Sequence, residues 1–169
     1  VFHLAGENRT VQDLQQAKVI FDTSVLGTQN LLQATATEKI NTPKIIIASS
    51  GAVYETSQSE TQGFREPSEI PEKFIEGDDP YRTGKSRSEL ICKQFLNESA
   101  TQVMIARMFT FVGQHLPLNT NFAIGNFFQD CLLNRPITVK SNGKSIRSYQ
   151  FSTDMVNWLV TILLNGKNA

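Results

Sequence analysis

The sequence lacks any net charge: 16 basic side chains stand against 16 acidic ones in 169 residues. Without a basic surplus it has no electrostatic footprint for nucleic acid or an anionic membrane surface. No apolar run approaches the ~20 residues that span a bilayer. The densest clusters, Ile45-Ile46-Ile47-Ala48 and Ile162-Leu163-Leu164, are of strand and helix size. Cysteine is scarce, and Cys92 and Cys131 stand far apart with no His or Cys at ligand spacing. Neither a metal site nor a disulfide scaffold is indicated, and a reducing, cytoplasmic setting is expected. An initiator Met and a charged leader are missing too: residue 1 is Val, and the chain opens directly into the apolar run Val1-Phe2-His3-Leu4-Ala5. The expectation is a piece of a longer protein.

What is there is a core's worth of apolar residues, 40% of the chain, arranged as alternating strand and helix patterns. Val1 to Ala5 predicts a short strand ending at Gly6. From Val11 to Thr37, Leu14, Ala17, Phe21, Val25 and Leu32 recur at helical steps. Lys44 to Ser49 is nearly continuous apolar sequence, as in a strand buried on both faces of a parallel sheet. Residues 55–78 are polar, with Gly63, Pro67, Pro71 and Gly77, and predict a long functional loop. Asp79-Pro80 starts a helix, with Asp as N-cap and Pro in the first turn; Leu90, Ile91 and Phe95 are its expected buried face. Val103 to Phe109 predicts a core strand and Asn121 to Asn134 a helix. Ile137–Val139 and Ser145–Phe151 are expected to form a hairpin-like element about the Ser141–Lys144 turn, and Asp154 to cap a last helix. The fold class is α/β, with a parallel sheet.

The chemistry concentrates in Tyr81-Arg82-Thr83-Gly84-Lys85 at a helix start. Positions i and i+4 share a helix face, so the Lys85 ammonium is expected near the Tyr81 phenol. A nearby cation and the helix N-terminus both favour a phenolate, which suits Tyr81 to exchange a proton with a hydroxyl being oxidised. The strand Ile45–Ala48 delivers Ser49 and Ser50 at its C-terminal end, where open α/β sheets bind their ligands. His3 is expected to be a packed strand histidine.

Several segments in order resemble the extended short-chain dehydrogenase/reductase family, in its NAD-dependent nucleotide-sugar epimerase/dehydratase group. They are Phe2–Gly6, Gly27–Leu32, Ala48–Tyr54, Pro80–Lys85 with Glu89 beyond it, Arg107–Gly113 and Arg147–Asp154. The resemblance implies a partial Rossmann-type doubly wound parallel sheet, its C-terminal half, with a small substrate-side extension. Residues 1–113 would form the nucleotide-binding region with the catalytic residues, and residues 114–169 a substrate-side segment with a late helix on the same domain. It also implies Tyr81 as acid/base, Lys85 as its partner and ribose ligand, and Ser50 as the catalytic hydroxyl. Ala5 and Gly6, together with Tyr81 and Lys85, would lie against NAD or NADP. Ser50, Thr110 and Arg147 would contact a nucleotide-sugar substrate, the last through its phosphate. A homodimer through the helix faces of residues 11–37 and 81–99, or self-association through the strand edge at residues 1–5, is expected.

Departures from the family pattern refine this. The Gly-rich turn that cradles a pyrophosphate has no match: after Gly6 the next glycine is Gly27. Weak or no NAD binding by this chain alone is therefore expected. Ser24 and Thr110 stand where the family often carries Asn. Gly51-Ala52 occupy the places of an Asp-Glu pair in sugar 4,6-dehydratases such as the dTDP-glucose enzyme, which speaks against water elimination. The expected function is a fragment of an epimerase, reductase or similar enzyme, with a decarboxylase open. The alternatives are a 4,6-dehydratase and a non-catalytic module that kept the fold.

Overall fold

The computed structural model describes residues 1–6, 13–37, 44–54, 64, 69–97, 100–118, 122–139 and 141–169. Its elements run β1 (Phe2–His3), α1 (Leu14–Thr37), β2 (Lys44–Ser50), α2 (Pro80–Leu96), β3 (Gln102–Met108), β4 (Thr110–Val112), α3 (Ala123–Leu132), β5 (Tyr149–Phe151) and α4 (Ser152–Asn165). Short 3₁₀ turns at Gly51–Val53 and Glu72–Phe74 precede α2.

Two compact units divide the chain: Val1–Met108 with Trp158–Ala169, and Phe109–Asn157. The first unit thus ends at Met108 and takes in the last residues of the chain. The boundary falls where Phe109 interrupts the extended run, after which Thr110–Val112 pairs with β5 instead of the main sheet.

Among the described residues, the first unit carries a three-stranded parallel sheet in the order β1-β2-β3. Phe2 lies opposite Ile46, and Lys44 through Ser50 pair with Gln102 through Met108. Because side chains alternate along a strand, β2 supplies both faces. Ile45 and Ile47 pack with Leu32 of α1, Cys92 of α2 and Val103 into the core. Met104, on the opposite parity of β3, meets Gly166 beyond α4: a Cβ there would lie 3.0 Å from the Met104 side chain. The last turn of α4 and the tail after it also bind the strand origins. Lys44 Nζ donates to Leu164 O at 2.7 Å, Val103 N to Asn168 Oδ1 at 3.2 Å, and Ala169 N to Val103 O at 3.0 Å.

Helix α1 departs from its apolar pattern. Leu14 is 90% exposed and Ala17, Phe21 and Val25 are half-buried, while Ile20, Ser24, Thr28, Leu32 and Thr35 form the buried face. Hydroxyls can line that face because the helix backbone satisfies some of them: Thr28 Oγ1 donates to Ser24 O at 2.7 Å and Thr35 Oγ1 to Leu32 O at 2.8 Å. Small residues at the crossing bring α2 close; a Cβ at Gly84 would stand 3.2 Å from Ser24 Cβ. On α2, Leu90 is 37% exposed, whereas the polar residues Thr83, Lys85, Ser86, Ser88 and Glu89 are buried.

The second unit joins β4 and β5 in parallel, Thr110 opposite Tyr149 and Val112 opposite Phe151. The hairpin-like expectation is therefore wrong: residues 137–139 and 145–148 are not strands, and Tyr149–Phe151 pairs with Thr110–Val112 instead. Helix α4 begins at Ser152, which places Asp154 in its first turn rather than at its cap. The start of the Val11 helix and most of the 55–78 loop lie outside the described residues.

Candidate active site

The C-terminal end of β2 and the first turns of α2 carry the candidate chemistry. Asp79 caps α2, its Oδ1 accepting from the amides of Tyr81 and Arg82 at 3.0 Å each, with Pro80 at the first helical position. This starts the helix so that Tyr81 lies half-buried in its first turn. Thr83 Oγ1 donates to Gly77 O at 2.9 Å and Arg87 Nε to Ile75 O at 2.7 Å, strapping the preceding segment onto the helix. The Arg82 guanidinium lies 4.4 Å from the centre of the Phe74 ring.

Lys85, one turn on from Tyr81, is only 6% exposed. Its ammonium donates to the carbonyl oxygen of Ala48 at 2.7 Å. Burial pulls its pKa below the usual lysine value. Gly6, following β1, lies against the same ammonium: a Cβ there would be 2.9 Å from Nζ. Ala5 and Gly6 are otherwise exposed, so this stretch of backbone is open beside a buried cation. His3 sits half-buried on β1, and a Cβ at Gly27 would be 3.7 Å from its Cε1. Its Nε2 has no hydrogen-bond partner among the described residues. Burial first, and the charge of Lys85 second, lower its pKa. Ser24 and Ser86 also bury hydroxyls without a partner among the described residues.

Ser50 ends β2, and its hydroxyl accepts from the amide of Ala52 at 3.1 Å, capping the short turn. Ser49, on the other face of the strand, is the serine bonded to α2: its hydroxyl donates to Glu89 Oε1. Glu89 is also gripped by Arg107 at the end of β3, with Nε 3.0 and 3.2 Å from its two oxygens and a terminal nitrogen 2.8 Å from Oε2. The Arg107 guanidinium lies 4.7 Å from the centre of the Tyr54 ring, which stacks on Phe64 at 4.6 Å. Burial opposes the charge on Arg107, but hydrogen bonds and attraction from Glu89 and Tyr54 outweigh it and raise its pKa further. This buried Ser49–Glu89–Arg107 network was not anticipated as a unit. Its one trace in the sequence is a carboxylate four residues after Lys85 on the same helical face.

Of the expected site residues, the first unit thus brings Gly6 and Lys85 together at the strand end that carries Ser50. No hydrogen bond joins the side chains of Tyr81, Lys85 and Ser50 to one another among the described residues. Thr110 and Arg147 belong to the second unit. Thr110 is half-buried on β4; Arg147 is exposed, two residues before the Tyr149 that faces Thr110, and donates to Ile146 O at 3.0 Å. The described residues contain no group of His, Cys, Asp or Glu able to hold a metal ion, and no helix long and apolar enough to cross a membrane.

A family model described as the NAD dependent epimerase/dehydratase family matches residues 1–169. UDP-glucuronic acid decarboxylase 1 of Xenopus tropicalis is 25% identical, across 96% of this chain and 38% of that protein. UDP-glucose 4-epimerase of Mycoplasma genitalium is 30% identical, across 93% of this chain and 48% of the epimerase. Among solved structures, dTDP-glucose 4,6-dehydratase from Bacillus anthracis in complex with NAD superposes with a TM-score of 0.78 at 20% identity. That superposition takes in 99% of this chain and 48% of the dehydratase, and shows a shared Rossmann-type fold. The chain spans less than half the length of each of these three proteins.

Proposed function

The chain belongs to the NAD dependent epimerase/dehydratase family, and from that premise we propose that the polypeptide carrying it remodels a nucleotide sugar by transiently oxidising a ring hydroxyl. The observation that carries this reading is the buried Lys85 ammonium, fixed on Ala48 O at 2.7 Å beside the bare backbone of Gly6 and one helical turn from Tyr81. The names of the relatives, a UDP-glucuronic acid decarboxylase and a UDP-glucose 4-epimerase, support a nucleotide-sugar substrate.

Gly6 and Lys85 fit the nicotinamide-ribose end of a dinucleotide, because a Cβ at position 6 would fill the space beside Nζ. Ala5 and Tyr81 complete that set. The pyrophosphate end has no Gly-rich cradle in this chain, so residues 1–169 alone bind NAD weakly or not at all. When bound, the nicotinamide supplies the hydride acceptor and donor. In the reaction, Tyr81 as phenolate takes the proton of the sugar hydroxyl, becoming the phenol, and later returns it, with the Lys85 ammonium beside it to balance the phenolate charge. Ser50 orients the reacting oxygen from the strand end. Thr110 and Arg147 contact the substrate, the Arg147 fork matching a phosphate.

Epimerisation, reduction and decarboxylation are favoured over loss of water. Elimination requires a proton donor and acceptor flanking the leaving hydroxyl, and Gly51 and Ala52 carry no such groups. The test is incubation of the whole polypeptide with NAD and UDP-glucuronic acid, UDP-glucose or dTDP-glucose, with products identified by mass and retention time. A Tyr81→Phe variant is expected to lose on the order of 100-fold or more in turnover. Absence of product from every substrate, or full activity in that variant, would overturn the proposal.

A further inference from the structure

Two successive turns of α2 send opposite charges to neighbouring atoms of β2. The Lys85 ammonium ends on Ala48 O and the Glu89 carboxylate accepts from Ser49 Oγ. At i and i+4 on one helical face, a lysine and a glutamate ordinarily pair with each other, and burial increases the incentive. They do not pair here. Lys85 turns toward Gly6, which follows β1, while Glu89 turns toward Arg107 on β3, the opposite neighbour of β2. The side chains of Glu89 and Arg107 are 1% and 9% exposed, so their pairing is a dry, two-pronged contact that competes strongly for the carboxylate.

We propose that Arg107 is a positioning residue, whose fork holds the Glu89 carboxylate on the β3 side and so keeps it from pairing with Lys85. The ammonium is thereby left at Ala48 and Gly6, where the proposed function uses it; the role of Lys85 rests on that reading. Three features make the hold firm. Arg107 offers several donors at once where Lys85 could offer a single point contact. Ser49 satisfies the carboxylate from the strand end as well. The Tyr54 ring lies under the guanidinium, its centre 4.7 Å away, and adds a cation–π contact. The charged and titratable neighbours of Lys85 are His3 from β1, Tyr81 and Glu89 from its own helix, and Arg107 through Glu89. From α1, Ser24 packs against Gly84, the residue before Lys85.

The experiment follows the Lys85 side chain directly, in the whole polypeptide labelled with ¹³Cε-lysine, its resonance assigned by its disappearance in Lys85→Met. Arg107→Met removes the competitor and frees Glu89, and is expected to move the Lys85 titration upward by about one pH unit or more, since an adjacent opposite charge favours the ammonium. Arg107→Gln keeps a hydrogen-bond donor toward Glu89 and so protects folding, yet removes the charge; the same upward direction is expected. The Glu89→Gln/Arg107→Met double variant is expected to return the titration to its original position, which a general loosening of the structure would not do. Single variants that titrate like the unaltered protein, or a double variant that stays shifted upward, would overturn the assignment. The readout needs no turnover, so inactivity on nucleotide sugars would remove the proposed function alone.

Discussion

The ammonium of Lys85 is anchored on the main-chain oxygen of Ala48, 37 residues earlier and two residues before the strand ends at Ser50. A buried cation held by a neutral carbonyl keeps its positive potential available to whatever lies beside it. The contact also fixes the first turns of α2 against the rim of the sheet, so small changes around it have consequences out of proportion to their size.

Gly6→Ala is the sharpest of these changes. Its Cβ would arrive 2.9 Å from Nζ, the far end of a flexible side chain, so the fold absorbs it by shifting the ammonium. Stability is expected to change by no more than about 0.5 kcal/mol, while turnover by the whole polypeptide falls about 10-fold or more, as displaced reacting groups do. Urea titration alongside steady-state rates separates the two effects. A large loss of stability, or unchanged rates, would contradict this.

His3 gives the first unit an acid-sensitive term. Its folded pKa lies below the ordinary 6.5, through burial and then the Lys85 charge. Below that ordinary value the unfolded chain therefore binds the proton more readily than the folded one. Stability rises with pH up to about 6.5 and is lost progressively as the pH falls toward and through the folded pKa. His3→Gln is expected to flatten this dependence, measured as the urea midpoint between about pH 5 and pH 7.5. An unchanged slope would show that His3 binds its proton equally well in the folded and unfolded states.

The two thiols should differ sharply in reactivity. Cys92 is buried in the core, and burial with the nearby Glu89 charge pushes its pKa up to about 12, whereas Cys131 is exposed. An alkylating reagent at about pH 8 is expected to modify Cys131 alone in the folded chain and both cysteines after denaturation, as read by mass spectrometry. Rapid labelling of Cys92 in the native state would mean that the β2–α2 core opens readily.

Among the described residues, strand β1 is paired on one side, with β2, and Phe2 within it and Leu4 just after it are 43% and 53% exposed. An apolar strand edge is a template for pairing with another chain. Residues 1–169 alone are expected to associate with rising concentration, and Leu4→Lys to reduce that association without lowering stability, as followed by sedimentation velocity. A monomer at high concentration in the unaltered chain would show that the edge is already protected.

The sequence made the order of strands and helices legible, because Ile45 to Ala48 and Val103 to Ala106 are unmistakably buried runs and Asp79-Pro80 marks a helix start. It was less informative where polar atoms satisfy one another. The apolar periodicity of α1 pointed at Leu14 and Phe21 along with Leu32, whereas the packed face joins Leu32 to Ser24 and Thr28, made tolerable by hydroxyl-to-backbone bonds that no hydrophobicity pattern registers. Tyr81, Lys85 and Ser50 were picked out as the candidate residues. Glu89 and Arg107 were not joined, because a pair 18 residues apart on different elements meets only once β3 is laid beside β2. The partner of β5 is likewise Thr110–Val112 and not the preceding residues 137–139, although a short extended segment after a Gly-containing turn looks like half of a hairpin.

The last turn of α4 and the tail beyond it grip the beginnings of β2 and β3 through Leu164, Asn168 and Ala169, while Lys85, Ser50 and Glu89 gather where those strands finish. Support and chemistry are thereby dealt to opposite rims of one sheet. Side chains such as Asn168 become handles for tuning rigidity with the reacting groups left in place, and an engineer can work on one rim without reopening the other.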